Sequence, residues 1–272
     1  MPLANKLNPH HKMKKSILLF ATLISCSTLV LNAQPGGRGG GMGGPPSGPQ
    51  LGGHLKKIFG ENSKFSADVE YQTKDAASGD TTMPGKLAFL DGKSRFEVDM
   101  GQMKNDKMPP GAAEQMKAMG MDRMVIISVP EKKISYLIYP GMNAYVEQTV
   151  PAGAETVSEA DSKLEVTELG KEKAQGHDCV KNKVVVTDAD GKKHESTVWN
   201  APGLKKFPVK IHSKEDGKEV VMAFKDVKLE KPEASQFEPP AGYTKYANVM
   251  ALMQTEMMKR MGGGGIGAPP GN

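Results

Sequence analysis

Polar and apolar side chains alternate along most of the middle of the chain. In the run FSADVEYQT, which begins at Phe65, every second residue up to Tyr71 is apolar, and this period is typical of a strand buried on one face. The same pattern predicts further strands at residues 85–90, 94–100, 125–129, 134–139, 144–149 and 163–169. Asp-Gly pairs at 91–92, 190–191 and 216–217 stand between such runs and predict hairpin turns. Consecutive strands joined by short turns form an antiparallel meander.

Two of the predicted strands, at 125–129 and 134–139, are apolar on both parities, so we expect them to be covered on both faces. Residues 55–59, 112–121 and 246–261 have the composition of helices that could supply a cover. The predicted fold class is therefore mainly β (α+β): a large curved antiparallel sheet with two or three covering helices.

The two ends of the chain differ in composition from this middle. Residues 1–33 place Lys14-Lys15 before an apolar run that closes with Ala33, which predicts a secretory signal peptide. Residues 34–53 are rich in glycine and proline and predict a flexible tether. Residues 247–272 predict a methionine-rich helix and a glycine-rich tail. These bounds leave a folded domain at 54–246 in an exported protein.

Residues 23–26, LISC, support an alternative interpretation of the leader. They resemble the lipobox of bacterial lipoproteins, in which the cysteine, here Cys26, becomes the acylated first residue. The apolar stretch continues past Cys26 to Leu31, which favours ordinary cleavage after Ala33. Under that cleavage Cys179 is the one remaining cysteine, so no intramolecular disulfide can form.

The formal charge of +5 is concentrated in the leader, which has four lysines and no acidic residue. Removing the leader leaves 32 basic and 31 acidic residues, a net charge of +1. A nearly neutral chain with mixed charges has little electrostatic attraction for nucleic acid. We therefore expect no nucleic-acid partner.

Candidate chemistry is concentrated in residues 176–200, which hold two histidines, Cys179 and the single tryptophan. If this stretch is a hairpin around residues 188–191, paired residue numbers sum to about 380 and His194 faces residues 185–187. His194 then lies roughly 20–27 Å from Cys179 along the strands. His177 and Cys179 give two ligands, whereas a structural zinc site has four. We expect no metal and no cofactor.

The chain contains no G-x-S-x-G elbow, no H-E-x-x-H, no phosphate-binding loop and no G-x-G-x-x-G opening a helix. We therefore expect a protein that is not an enzyme. Eleven of its eighteen methionines cluster instead at residues 103–124 and 250–261. Thioethers can bind copper(I), but neither cluster contains a histidine. Packing is favoured, in which flexible methionines over a curved sheet form a deformable apolar space.

Five short motifs follow one another in the chain: FSADVEYQ, GKSRFEVD, ISYLIYPGMNAY, STVWNAPGLKKFPVKI and FEPPAGY. With the export signal, their order over about residues 65–246 resembles the LolA/LolB-like superfamily of lipoprotein carriers and receptors, in particular an uncharacterised envelope branch with a domain of unknown function. The resemblance implies a LolA-like half-barrel whose concave face, lidded by helices, holds acyl chains. It also implies the periplasm of a Gram-negative bacterium, with a lipoprotein anchored through Cys26 as the alternative.

The resemblance also suggests site residues. In the carriers an arginine on an early strand helps to hold the lid, and Arg95 occupies the matching position. Parity places Arg95 opposite Phe96 and Val98, so a solvated strand face is the competing interpretation. Trp199 and Phe207 either rim a cavity or pack in the core. The candidate ligand-binding residues are Arg95, Phe96, Val98, Tyr136, Trp199 and Phe207.

The predicted function is that of a non-enzymatic cell-envelope protein that binds a lipid, an acylated protein or another apolar ligand in the half-barrel cavity. The alternative is an envelope protein-interaction or sensor module with the same fold and no lipid, which the two flexible ends favour. The expected partners are thus an apolar ligand or an envelope protein, with peripheral outer-membrane association as an option. The oligomeric state is left open.

Overall fold

The computed structural model describes residues 53–75, 79–149, 163–187, 191–215 and 217–262. The predicted signal peptide, Cys26, the tether before Gly53 and the tail after Gly262 lie outside the described residues. No helix in these described ranges is long and apolar enough to span a membrane.

The described residues form one sheet of thirteen strands and three α-helices. The helices are α1 (Gly53–Phe59), α2 (Ala112–Ala118) and α3 (Val249–Gly262). The strands are β1 (Lys64–Lys74), β2 (Thr81–Leu90), β3 (Lys93–Asp99), β4 (Lys104–Asn105), β5 (Arg123–Val129), β6 (Ile134–Tyr139), β7 (Ala144–Thr149), β8 (Lys163–Ala174), β9 (His177–Thr187), β10 (Lys193–Ala201), β11 (Phe207–Glu215), β12 (Lys218–Lys228) and β13 (Thr244–Tyr246). This large, open, curved and mostly antiparallel sheet with three helices confirms the predicted fold class.

The strands lie in the order β13-β7-β6-β5-β3-β2-β1-β12-β11-β10-β9-β8, and β4 pairs with β2 off this path. All pairs are antiparallel except β13 with β7. The hairpin register pairs His194 with Val186, as predicted. The predicted simple meander is interrupted in two places, because β1 lies in the middle between β2 and β12, and because β7 and β8 lie far apart. Alternation along a strand carries no information about its partner, so this order is not visible in the pattern.

Residues that face each other across a ladder point to the same side of the sheet, so the registers define two faces. On the helix-covered face, α1 inserts Phe59 among four other phenylalanines, with ring centroids 4.8 to 6.0 Å away. Farther along the same face, α3 buries Leu252 against Met124 and Tyr139. The helix-covered face therefore contains most of the core.

The opposite, outer face is covered over β5 and β6 by a 3₁₀ turn, Ala234–Phe237, called the strap below. The strap buries Phe237 against Val125, Ile127 and Ile138. The prediction that β5 and β6 are covered on both faces is therefore confirmed. The predicted helices supply only one of the two covers.

Three links in the sheet are 3₁₀ turns that begin with proline: Pro130–Lys132, Pro140–Met142 and Pro202–Leu204. Each is followed by a residue in the left-handed region, and φ is 49° at Asn143 for example. Proline fixes the φ that a 3₁₀ turn needs, and the left-handed residue reverses the chain. The Asp-Gly turns behave as predicted where they are described, with φ of 90° at Gly92.

Candidate functional site

An open groove of about 550 Å³, called the cavity below, lies between the start of α2 and the strands β2 and β4. Met103, Met108 and Pro109 form its apolar side together with the first alanines of α2. Its polar side is lined by Asp80, Thr82, Lys104, Asn105, Asp106 and Glu114. This volume falls in the range of small-molecule sites, which combine apolar walls with a few polar groups.

Methionines hold the covers against the sheet next to this cavity. Met103 and Met116 pack against the core under α1 and α2, and Met142 and Met253 pack against the core under α3. Unbranched thioether side chains can change rotamer at little cost. The two predicted methionine clusters thus lie where a cover must adapt to what is beneath it.

Two sets of polar contacts hold α3 in place. Tyr246 Oη and Lys259 Nζ each donate a hydrogen bond to Glu256 Oε1, and both donor–acceptor distances are 2.7 Å. The hydrogen bond from Lys259 is the main cause that lowers the pKa of Glu256. Arg260 Nη1 donates to the carbonyl oxygen of Ala118 at the end of α2. We call these contacts the α3 latch.

Tyr139 lies under α3 with 1% of its surface exposed. Its hydroxyl group has no hydrogen-bond partner in the described part of the chain. Burial raises its pKa to about 12. Nothing in the sequence pattern singles out this residue, because alternation reports that a side chain is buried and not whether its hydroxyl is bonded.

The structure places Phe96, Val98 and Phe207 in the core on the helix-covered face. Phe207 lies among the phenylalanine rings, 4.8 Å from Phe65. None of the six predicted ligand-binding residues lines the 550 Å³ cavity. The methionine clusters were the sequence signal that indicated this region.

Arg95 and Tyr136 lie on the outer face, in one row with Ile127 between them. Arg95 is not solvated, since its side chain is only 18% exposed. It pairs with Glu97 at 2.6 Å and donates from Nη1 to the carbonyl oxygen of Gln236 at 3.1 Å. Arg95 therefore holds the strap. A cavity of about 320 Å³ beside it is lined by three acidic and three basic residues: Asp68, Glu97, Asp226, Lys86, Arg95 and Lys228.

Trp199 lies opposite Lys181 on one neighbouring strand and Lys210 on the other. Both ammonium groups lie over its ring, 5.2 and 4.6 Å from the centroid, at distances typical of cation–π contacts. Trp199 itself is buried, at 5% exposure, and belongs to the same core cluster as Phe207. The indole Nε1 is buried and forms no hydrogen bond of normal geometry within the described residues, although it contributes to lowering the pKa of Glu172 after Lys181.

The histidines of the hairpin are not brought together. His194 faces Val186 on the helix-covered face, whereas His212 faces Thr197 on the outer face. The described residues contain no group of three or more histidine, cysteine or acidic side chains that could hold a metal ion. Cys179 is buried, and burial raises the pKa of its thiol.

Among the described strands, β8 lies at one end of the sheet and pairs only with β9. Its apolar side chains are unusually exposed, at 45% for Leu164, 56% for Val166 and 54% for Leu169. Leu164 and Val166 lie in register with Val186 and Val184 and extend the helix-covered face beyond its helices. An open edge of this kind can accept a further strand.

The family model described as a domain of unknown function (DUF4412) matches residues 79–206 and 191–243. No curated protein matches the sequence. Among solved structures, a LolA superfamily protein from Nitrosomonas europaea matches with 9% identity over 67% of this chain and 93% of that chain, at a TM-score of 0.34. This match bears out the predicted resemblance to the LolA-like superfamily.

Two further solved structures match at similar levels. The Mycobacterium tuberculosis lipoprotein LppX has 9% identity over 64% of this chain and 93% of that chain, with a TM-score of 0.37. The MucA/MucB complex of Pseudomonas aeruginosa has 13% identity over 70% of this chain and 61% of the matched chain, with a TM-score of 0.36. Since every TM-score is below 0.5, function has to be inferred from the side chains of this chain.

Proposed function

This chain belongs to the DUF4412 family of domains of unknown function, and we propose that it binds an apolar ligand, a lipid or acyl chain, in the cavity between α2 and the sheet without catalysis. The observation that carries this proposal is the 550 Å³ cavity between α2 and the sheet, with methionines on its apolar side. The leader at residues 1–33 supports export, and we place the protein in the periplasm of a Gram-negative bacterium. Cys26 remains the alternative anchor.

The charge around the cavity narrows the class of ligand. Asp80, Asp106 and Glu114 line it together with a single cation, Lys104, so the lining carries a net charge of −2. An anionic head group would be repelled there by the three carboxylates, most strongly at low ionic strength because the groove is open to solvent. We therefore propose a ligand whose polar end is neutral or cationic, such as an acyl ester or an acylated peptide.

The test uses delipidated protein and two fluorescent lipids that share their acyl chains: a neutral diacylglycerol and an anionic phosphatidic acid. We expect saturable binding of the neutral lipid and at least several-fold weaker binding of the anionic one. Absence of saturable binding for both would overturn the proposal. Native mass spectrometry of protein purified from its own envelope fraction, with solvent extraction of any excess mass, identifies the natural ligand class.

A matched pair of variants locates the site. Ala113 lines the cavity on α2, whereas Ala118 on the same helix is exposed and does not line it. Ala113→Phe places a ring within the cavity and is expected to reduce lipid binding, while Ala118→Phe adds the same ring outside and leaves binding intact. Equal binding by both variants would place the ligand elsewhere.

A second candidate is a protein-interaction or sensor module that carries no lipid, and the exposed edge of β8 favours it. An extended segment of another envelope protein could add to this edge as a strand and pack apolar side chains on Leu164 and Val166. Val166→Lys is expected to abolish crosslinking to such a partner in cells, whereas Thr167→Lys, on the other face, leaves it. A dominant protein adduct with an empty cavity would favour this second function over the first.

A further inference from the structure

We propose that α3 covers a binding site whose polar anchor is Tyr139, and that the Tyr139 hydroxyl group donates a hydrogen bond to an ester or amide carbonyl of the bound acyl chain when α3 moves aside. This inference rests on the proposed function. It adds to the proposed function a binding residue, Tyr139, a ligand group, the carbonyl, and an element that moves, α3.

The first observation is the hydroxyl itself. Tyr139 is almost fully buried, and its Oη has no partner in the described part of the chain. Buried polar groups in native proteins are bonded in the great majority of cases, so each exception requires a physical reason. A phenylalanine would fill the same space without this cost. With α3 in place, which we call the closed state, the unpaired hydroxyl group lowers stability. Its presence is explained if it forms a hydrogen bond in another state of the protein.

The second observation is the surroundings of that hydroxyl. Tyr139 belongs to a cluster with Met124, Ala144, Val146 and Leu252, whose side chains include no strong hydrogen-bond acceptor. A ligand that enters this cluster can supply the acceptor that these side chains lack. Apolar walls around one donor suit a neutral chain with one acceptor, because an anion would lose its hydration without a compensating charge. A carbonyl oxygen in an ester or amide has this chemistry.

The third observation is how α3 is held. Its polar contacts are the α3 latch, in which Glu256 bonds Tyr246 and Lys259 on one side and Arg260 bonds the Ala118 carbonyl on the other. The described hydrophobic side chains of α3 include one that is fully buried, Leu252. Besides Leu252, only the partly buried Val249 and Met253 among the described α3 side chains pack on this cluster, and a helix with few buried contacts has a low cost of local opening.

The fourth observation is that the solvent side of α3 is also apolar. Met250, Met257 and Met258 are 68%, 52% and 65% exposed and lie on one side of the helix, at spacings of seven and eight residues. These side chains contribute little to the closed structure. They give the displaced helix an apolar surface that can contact an acyl chain once the ligand has entered.

The experiment compares Tyr139→Phe with Tyr136→Phe, a control on the same strand whose ring lies on the outer face. Two ligands of similar length are used, methyl laurate with a carbonyl and n-tridecane without one. We expect Tyr139→Phe to weaken methyl laurate binding roughly fivefold, the effect of one hydrogen bond, and to leave n-tridecane binding unchanged. Tyr136→Phe is expected to change neither.

The unliganded variant gives an independent result. Removing an unbonded buried hydroxyl should raise the urea midpoint of Tyr139→Phe above that of the wild type. If methyl laurate binds both proteins equally, or if the variant is less stable, the Tyr139 inference is overturned while the proposed function stands. If neither ligand binds the wild type, both are overturned.

Discussion

Replacing Gly141 with alanine tests how closely the covers are packed against the sheet. Gly141 lies in the turn Pro140–Met142, directly against Gly120 at the end of α2. A Cβ at position 141 would lie 2.6 Å from the Gly120 carbonyl oxygen and 2.7 Å from its Cα atom. Gly203 is a matched control, because it occupies the same position in the turn Pro202–Leu204 and a Cβ there meets nothing within 4 Å.

The expected magnitude follows from these distances. Ordinary contacts of a Cβ begin at 3.4 Å, so α2 and the turn must separate by about 0.8 Å. Overpacking of this kind costs about 1–3 kcal/mol. Gly203→Ala removes unfolded-state freedom without a clash and should stabilise the protein by about 0.4–1 kcal/mol. The two variants should therefore differ by about 1.4–4 kcal/mol, at about 2–4 °C per kcal/mol in Tm.

Urea denaturation measures the difference, with equal m-values required for both variants. Hydrogen exchange should show faster exchange in α2 and α3 for Gly141→Ala alone, since the two helices meet at this point through Arg260 and Ala118. Equal stability of the two variants would refute the close approach of Gly120 and Gly141, and with it the packing assigned to the covers.

Three further predictions concern other parts of the core and latch. Phe59→Ala should lower the free energy of unfolding by about 3–5 kcal/mol, since its ring contacts four others; urea denaturation showing a loss below about 1 kcal/mol would contradict this. The lowered pKa of Glu256 means that its stabilisation is present above the unfolded value of 4.5 and lost as pH falls through the folded value. Wild type and Glu256→Gln should therefore differ in Tm at neutral pH and converge as the pH falls below 4.5, and a constant difference would exclude this role. Since the pKa of Tyr139 is raised to about 12, the protein should lose free energy of unfolding as pH rises from about 10 to 12. The urea midpoint of Tyr139→Phe should lack this loss, and parallel pH profiles of the two proteins would refute the buried state of this hydroxyl group.

Alternation located best the strands that have one face in the core, such as β1. The predictions at 134–139 and 144–149 coincide with β6 and β7. The prediction at 163–169 stopped five residues before the end of β8, because the register with β9 shifts between Glu168 and Gly170 and breaks the period of two. A β-bulge of this kind changes parity without ending the strand.

The candidate site was less predictable. Parity correctly separated Arg95 from Phe96, but it could not show that the partner of Arg95 is a carbonyl oxygen of the strap 141 residues away. The methionine clusters indicated covers. The cavity is also lined by Thr82 of β2 and by Asp80, which directly precedes that strand. Contacts between distant segments depend on strand order, and strand order is not encoded in local periodicity.

The central position of β1 has a consequence for how the chain can be divided. Residues 150–162 connect β7 to β8, and these strands lie far apart in the sheet. A cut there would leave every ladder between the described strands intact, and the two fragments would meet along β1–β12 and β7–β13. The half-barrel thus consists of two sequential meanders joined by one long ladder, β1–β12, and one short ladder, β7–β13. This arrangement is suited to reassembly from two separately produced chains.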